Sequence, residues 1–132
     1  MNPLFHILFQ QQRILVNKLN EVLKKHDLYH SQWTILFVLY KQGPMTLTAI
    51  WKYLNVEAPT VTRTVARLEQ LGWVKREIGM DKREKIVSLT EKALAAFPSI
   101  ENTIVQYEEE MVRHLDESEQ QQLVALLQKM KG

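Results

Sequence analysis

The sequence predicts a mainly α-helical fold that carries one small β-hairpin. Three observations predict it. Val61, Val65 and Leu68 recur at helical spacing, so one stripe of the segment after Pro59 is buried. Two short β-rich runs follow, 73–78 and 85–89, with Ile86, Val87 and Leu89 as the apolar members of the second. Between them lies Gly79-Met80-Asp81-Lys82-Arg83-Glu84, a tip too polar to bury. On both sides of this unit the chain reads as long helices.

The first of these runs from 4 to about 25, with Pro3 at its start, where a missing N–H is harmless. Phe5, Leu8, Phe9, Leu15, Leu19, Val22 and Leu23 make a broad stripe, and Ile7 and Ile14 lie on another side. A helix apolar on more than one side is either a central core helix or part of a subunit interface. Ser31 is the expected N-cap of a second helix that ends near 42, at Gly43-Pro44. Its stripe is Trp33, Leu36, Phe37 and Tyr40, with Ile35 and Leu39 beside it. This is core, or in part the lining of an aromatic-ligand pocket.

Thr46 caps a short helix, 47–54, with Leu47, Ile50 and Leu54 inward. Asn55-Val56-Glu57 forms the turn, Val56 is its expected apolar plug, and Pro59 takes the first position of the next helix. Helix, short turn, helix is a helix-turn-helix unit. The first helix of such a unit crosses a DNA backbone, which makes Thr48 a candidate phosphate ligand.

About half a turn from the buried stripe of the second helix lie Arg63, Ala66, Arg67 and Gln70, with Thr60 and Thr62 at the flanks. Hydroxyls, arginines and an amide suit base edges and phosphates in a major groove. A solvated amphipathic helix would look the same. Gly72 stands where a left-handed residue closes a helix. Residues 59–90 hold seven Lys/Arg and four Asp/Glu, net +3. A helix followed by a basic hairpin is the outline of a winged helix-turn-helix, the hairpin tip reaching for phosphates or the adjoining minor groove.

Beyond Thr90 a second long helix spans 91–115, with Leu94, Phe97, Ile100, Ile104, Tyr107 and Met111 on one face. Pro98 inside it should bend or split it. Asp116 and Glu119 have the spacing of a capping box for a last helix, 117–130, whose Leu123, Leu126, Leu127 and Met130 form an apolar seam. The first and last segments are expected to pack together and onto a second copy.

The chain has 132 residues and a formal net charge of only +2, so the argument rests on where charge sits. Residues 101–119 carry seven acids against Arg113, which leaves the other end repelled by phosphate. There is no cysteine, which excludes disulfides, thiol redox sensing and Cys-based zinc sites. His6, His26, His30 and His114 form no metal-binding pattern, and no cofactor is expected. The start of the chain has no secretory character, no run reaches membrane-span length, and a cytoplasmic protein is expected. Nothing suggests an enzyme: no nucleophile–base pair, paired catalytic carboxylates or phosphate-cradling glycine loop is visible.

Asp81-x-Arg83-x-x-x-Val87-x-Leu89-Thr90, preceded by Thr62-Arg63-x-Val65-x-x-Leu68-Glu69-x-x-Gly72-x-Val74-x-Arg76, resembles the MarR family of bacterial transcription regulators. The likeness extends over essentially the whole chain. It implies one MarR-like unit over 1–132: a winged helix-turn-helix lobe, 29–90, flanked by dimerisation helices, 1–28 and 91–132. It implies a homodimer reading a pseudo-palindromic double-stranded DNA operator, a repressor relieved by a small-molecule effector. Thr60, Thr62, Arg63 and Arg67 would read DNA from the recognition helix. Arg83 would enter the minor groove, Asp81 would orient it through a bidentate pair, and Lys82 would add a phosphate contact. Some relatives bind small aromatic or carboxylate compounds between the dimer helices and the lobe; His6, Phe9, Arg13, Trp33 and Phe37 would face such a cleft here. Glu57-Ala58-Pro59 departs from the Ser/Lys-rich composition common before this helix. A winged-helix module that docks its basic wing on an acidic protein is the competing reading.

Overall fold

The computed structural model describes residues 1–81 and 83–130. The elements are α1 (Pro3–Leu23), a 3-10 turn (Lys24–His26), α2 (His30–Gln42), β1 (Met45–Thr46), α3 (Leu47–Leu54) and α4 (Ala58–Gln70). β2 (Val74–Ile78), β3 (Lys85–Leu89), α5 (Glu91–Met111) and α6 (Glu117–Lys129) follow. Local chemistry sets most of these boundaries. The Leu4 N–H donates to Asn2 Oδ1 at 2.9 Å ahead of Pro3. Thr46 Oγ1 accepts from the Ala49 N–H at the start of α3. Asp116 and Glu119 form the expected reciprocal capping box.

Ser31 is not the cap of α2. The helix begins at His30 with Tyr29 as N-cap, two residues earlier than a Ser31 cap implies. The Tyr29 N–H donates to Gln32 Oε1, and the His30 N–H donates to Asn20 Oδ1 on α1 at 2.7 Å. A side chain from a neighbouring helix does the work that sequence reasoning gave to a local serine. In α4, Ala58 takes the first helical position and Pro59 the second.

The hairpin is part of a three-stranded antiparallel sheet in the order β1-β3-β2. Met45 pairs with Val87 and Thr46 with Ile86, a short strand not expected from the sequence. Gly72 has φ +85, and the Trp73 N–H reaches back to Leu68 O at 2.9 Å while the Gly72 N–H reaches Glu69 O. This double closure ends α4 and turns the chain into β2; a side chain at Gly72 would strain it.

The core is one cluster drawn from α1 to α5 and the sheet. Leu23, Leu36, Ile50, Val61, Val65, Leu68, Val74, Val87 and Ile100 are its most completely buried members. Val56 is not a plug; it is 39% exposed. The turn at Asn55 is held instead by a left-handed backbone and by the Val56 N–H on Trp51 O. Pro98 does not split α5, which runs unbroken across it. Phe97, Ile100, Thr103 and Ile104 are buried around and beyond it, so tertiary packing offsets the one lost backbone bond. Leu94 does not join the buried stripe; it is 51% exposed.

The second half of α1 lies against α5. Tyr107 Oη donates to Leu15 O at 2.7 Å, and His26 Nε2 pairs with Thr103 Oγ1 at 2.8 Å. The first half of α1 and all of α6 contain no buried residue. α1 packs on α5, the expected pairing of the first segment with the late helices, while α6 adds no buried residue to it. Leu4, Phe5, Ile7 and Phe9 on α1, and Leu123, Leu126 and Leu127 on α6, are left exposed.

Candidate nucleic-acid interface

α4 presents two opposite faces. Val61, Val65 and Leu68 are buried, while Thr62, Arg63 and Arg67 are exposed. Thr62 Oγ1 donates to Ala58 O at 2.9 Å, which fixes the hydroxyl and leaves its lone pairs outward. Arg67 touches Gln70 at 3.3 Å on the same outer face. Thr60 is different: it is half-buried at the edge of the helix and lines a small pocket on the α2 side.

The hairpin stands beside this face. Arg76 on β2 donates to Glu69 Oε1 on α4, from Nε at 3.3 Å and from Nη2 at 3.2 Å. Arg76, Arg83 and Lys85 share a cleft of about 370 Å³ with Thr46, Leu47, Thr48 and one acid, Glu84, which leaves the cleft net positive. Three cations thus gather at the N-terminal end of α3, and Thr48 there is exposed. Such a concentration of positive charge and amide dipoles favours phosphate.

Asp81 does not hold Arg83 by a side-chain pair. Its Oδ1 accepts from the Arg83 backbone N–H at 3.1 Å, and among the described residues no Asp81–Arg83 ion pair occurs. The Glu84 N–H closes on Asp81 O at 2.9 Å and the Gly79 N–H on Glu84 O at 3.0 Å. The carboxylate shapes the loop and so aims Arg83 through the main chain. Lys82 lies outside the described residues.

A second set of contacts fastens the hairpin and α4 to α5. Thr90 Oγ1 donates to Gly72 O at 2.6 Å and accepts from the Ala93 N–H, so one hydroxyl caps α5 and grips the end of α4. Lys92 Nζ donates to Leu71 O at 2.7 Å and sits 4.6 Å from the centroid of the Trp73 ring. A cation on the last carbonyls of α4 is favourable both to the dipole and to the ring. Sequence reasoning assigned no role to Arg76, Lys85 or Lys92. Arg76 and Glu69 stand seven apart across a helix end and a turn, a spacing that carries no local signal.

The candidate effector residues are not gathered within one chain. Trp33 is core, 7% exposed, with its ring centroid 5.3 Å from Phe97 and 6.0 Å from Phe37. Tyr40 stacks on Phe97 at 3.7 Å. His6, Phe9 and Arg13 are exposed on the half of α1 without buried residues. Among the described residues no group of three or more His, Cys, Asp or Glu could hold a metal ion, and no helix is long and apolar enough to cross a membrane.

The MarR family model matches residues 28–85. An uncharacterized HTH-type transcriptional regulator of Bacillus subtilis strain 168, YwoH, is 50% identical over 109 residues, 83% of this chain and 80% of that protein. The chain belongs to the MarR family. Among solved structures, a cysteine-to-serine mutant of MarR from E. coli complexed with operator DNA aligns with a TM-score of 0.93. It is 27% identical, over 98% of this chain and 94% of that chain. The apo form of wild-type MarR from E. coli aligns with a TM-score of 0.80, also at 27% identity, over 100% and 98% of the two chains. The mainly helical MarR fold with its small antiparallel wing is therefore the fold of this chain, and transcription regulation is the work of its family.

Proposed function

We infer that the protein is a sequence-specific DNA-binding regulator that works as a homodimeric repressor in the cytoplasm. One observation carries this reading: exposed Thr62, Arg63 and Arg67 share a face of α4 beside a wing whose Arg83, Arg76 and Lys85 converge with Thr48 on one cleft. Cations and hydroxyls spaced along a helix and an adjacent hairpin match a groove flanked by phosphates. Within this reading Arg63 and Arg67 meet base edges or the phosphates beside them. Thr48 and Thr62 position the backbone, Arg83 with Lys82 reaches the neighbouring groove, and Thr60 acts at the helix edge. The closer agreement of the chain with the operator complex of E. coli MarR than with the apo form supports a lobe set for DNA.

Residues 29–90 form the reading lobe and 1–28 with 91–132 the dimerisation helices of one MarR-like unit. The support is the apolar surface left uncovered on α1 and α6. Two copies that bury it against each other present two recognition helices to a pseudo-palindromic operator. Dimerisation also supplies what one chain lacks for an effector cleft. His6, Phe9 and Arg13 stand on an uncovered surface, free to approach the Trp33–Phe37 region of a second copy and take an aromatic or carboxylate compound.

The test is selection of bound sequences from random duplexes. The expected result is an enriched inverted repeat, its half-sites about one helical turn apart, with affinity falling steeply as salt rises. No enrichment over random DNA at moderate salt would favour a wing that docks on acidic protein.

A further inference from the structure

The geometry points to an apolar wedge at the tip of the wing: Met80, backed by Ile78, parts a flexible base step of the operator beside the groove that Arg83 enters. The inference rests on the DNA-binding reading above and adds a second means of reading sequence to it. Apart from Met1, Met80 and Ile78 are the most exposed large apolar residues among those described, at 106% and 74%. The uncovered apolar residues of α1 and α6 have a second copy to cover them; the hairpin tip belongs to neither helix.

The main chain under these side chains is braced. The Gly79 N–H donates to Glu84 O at 3.0 Å, the Glu84 N–H to Asp81 O at 2.9 Å, and the Arg83 N–H to Asp81 Oδ1 at 3.1 Å. Met80 stands between two of the residues so tied, Gly79 and Asp81. The base of the tip is already filled, since a Cβ on Gly79 would meet Ile86 Cδ1 at 3.2 Å and Glu84 O at 3.3 Å. Side chains alternate along a strand, so Ile78 shares a face of β2 with Val74 and Arg76. Val74 is buried and Arg76 reaches Glu69 on α4. Ile78 thus lies on the side of the sheet that carries the recognition helix, beyond the cover that helix gives.

Charge and shape select the occupant. Residues 75–85 hold five Lys/Arg and three Asp/Glu, net +2. A cationic loop draws the tip to a polyanion, where an apolar side chain leaves water only against sugars and base faces. Proteins that enter the minor groove use Ile and Met, among other apolar side chains, to part stacked bases. Met80 suits the task because its unbranched chain and polarizable sulfur adapt to an irregular gap. Ile78 is β-branched and stiff, and supplies a fixed wall against the sugars. Parting a step costs least at the flexible TA and CA/TG steps. The wedge makes no hydrogen bond to a base, yet it favours operators that carry such a step at a fixed distance from each half-site.

The experiment uses the full chain and duplexes it has selected from random sequence. 2-Aminopurine replaces each adenine of the flanking steps in turn, because its fluorescence rises when a base loses its stacking partner. The parent is expected to brighten one TA or CA step per half-site by about twofold or more. Met80→Ala should abolish that signal and weaken binding about three- to tenfold, with the base preference of α4 intact. Met80→Leu, apolar and of similar volume, should restore the signal; Met80→Gln, similar in length but polar, should not. Changing the step to AA should weaken the parent by about the same factor and leave Met80→Ala unaffected. Specific binding by the parent without brightening overturns the wedge and leaves the DNA-binding reading standing. So does a Met80→Ala variant that brightens the duplex and discriminates the step as the parent does. No preference for any duplex overturns both, and makes the apolar tip a docking point for acidic protein.

Discussion

Arg76 on β2 and Glu69 on α4 form an ion pair at 3.2 Å that ties the wing to the recognition helix. Arg76 is the more buried partner, its side chain 21% exposed against 42% for Glu69. A partly exposed pair of this kind contributes on the order of 1 kcal/mol or less to stability. Its greater effect is on geometry, since it removes freedom between two surfaces that must engage one DNA site together.

Glu69→Gln and Arg76→Ala should therefore lower the thermal midpoint only slightly. DNA affinity should fall more, by about three- to tenfold, with little change in the preferred sequence. Parallel melting curves and titrations of a selected operator check this. Equal, small effects on both quantities would reduce the pair to a surface ornament.

Arg63 and Arg83 should separate base reading from backbone holding. Arg63→Ala is expected to weaken the preferred site by about 1–3 kcal/mol and to relax preference at one position of each half-site. Arg83→Ala should weaken all duplexes more evenly and reduce the salt dependence. Binding isotherms on preferred and scrambled duplexes, at several salt concentrations, measure both.

The Asp81 carboxylate serves as a backbone acceptor at the hairpin tip, with Oδ1 3.1 Å from the Arg83 N. Asp81→Asn keeps an oxygen there and should bind DNA within about threefold of the parent, whereas Asp81→Ala should lose on the order of 1 kcal/mol of binding. A direct carboxylate–guanidinium pair would make the two variants equally poor. Amide exchange at Gly79 and Glu84 should quicken only in the alanine variant.

Leu123 and Leu127 on α6 are 44% and 45% exposed in the single chain. Replacing both with glutamate should convert a dimer to monomers in sedimentation experiments. The melting of the reading lobe, whose core draws no residue from α6, should be left nearly unchanged. Retention of the dimer would place the interface elsewhere.

His26 and His30 both titrate below 6.5, through burial in each case and, for His26, also through repulsion by Lys25. Between those lowered values and 6.5 the unfolded chain binds protons that the folded chain does not. Stability is thus fully present above 6.5 and declines as pH falls through the window below it. Melting at about pH 7.5 and about pH 5.5 should show a drop that the double variant His26→Gln, His30→Gln flattens.

Much of this architecture is written in short-range chemistry. The Val61, Val65 and Leu68 stripe, the Thr46 cap, the Asp116–Glu119 box and the left-handed Gly72 each depend on residues within a turn or two, so the sequence alone determined the helices, the hairpin and the outward arginines of α4. Only tertiary structure decided the rest. β1 exists because Met45 and Thr46 meet Val87 and Ile86. α2 starts at His30 because Asn20 lies beside it, and Pro98 is tolerated because buried side chains hold α5 on the core. The Arg76–Glu69 pair and the small pocket beside Thr60 join segments that are neighbours only once the core has closed. Local propensity carries no record of such encounters; the packing of the shared core creates them.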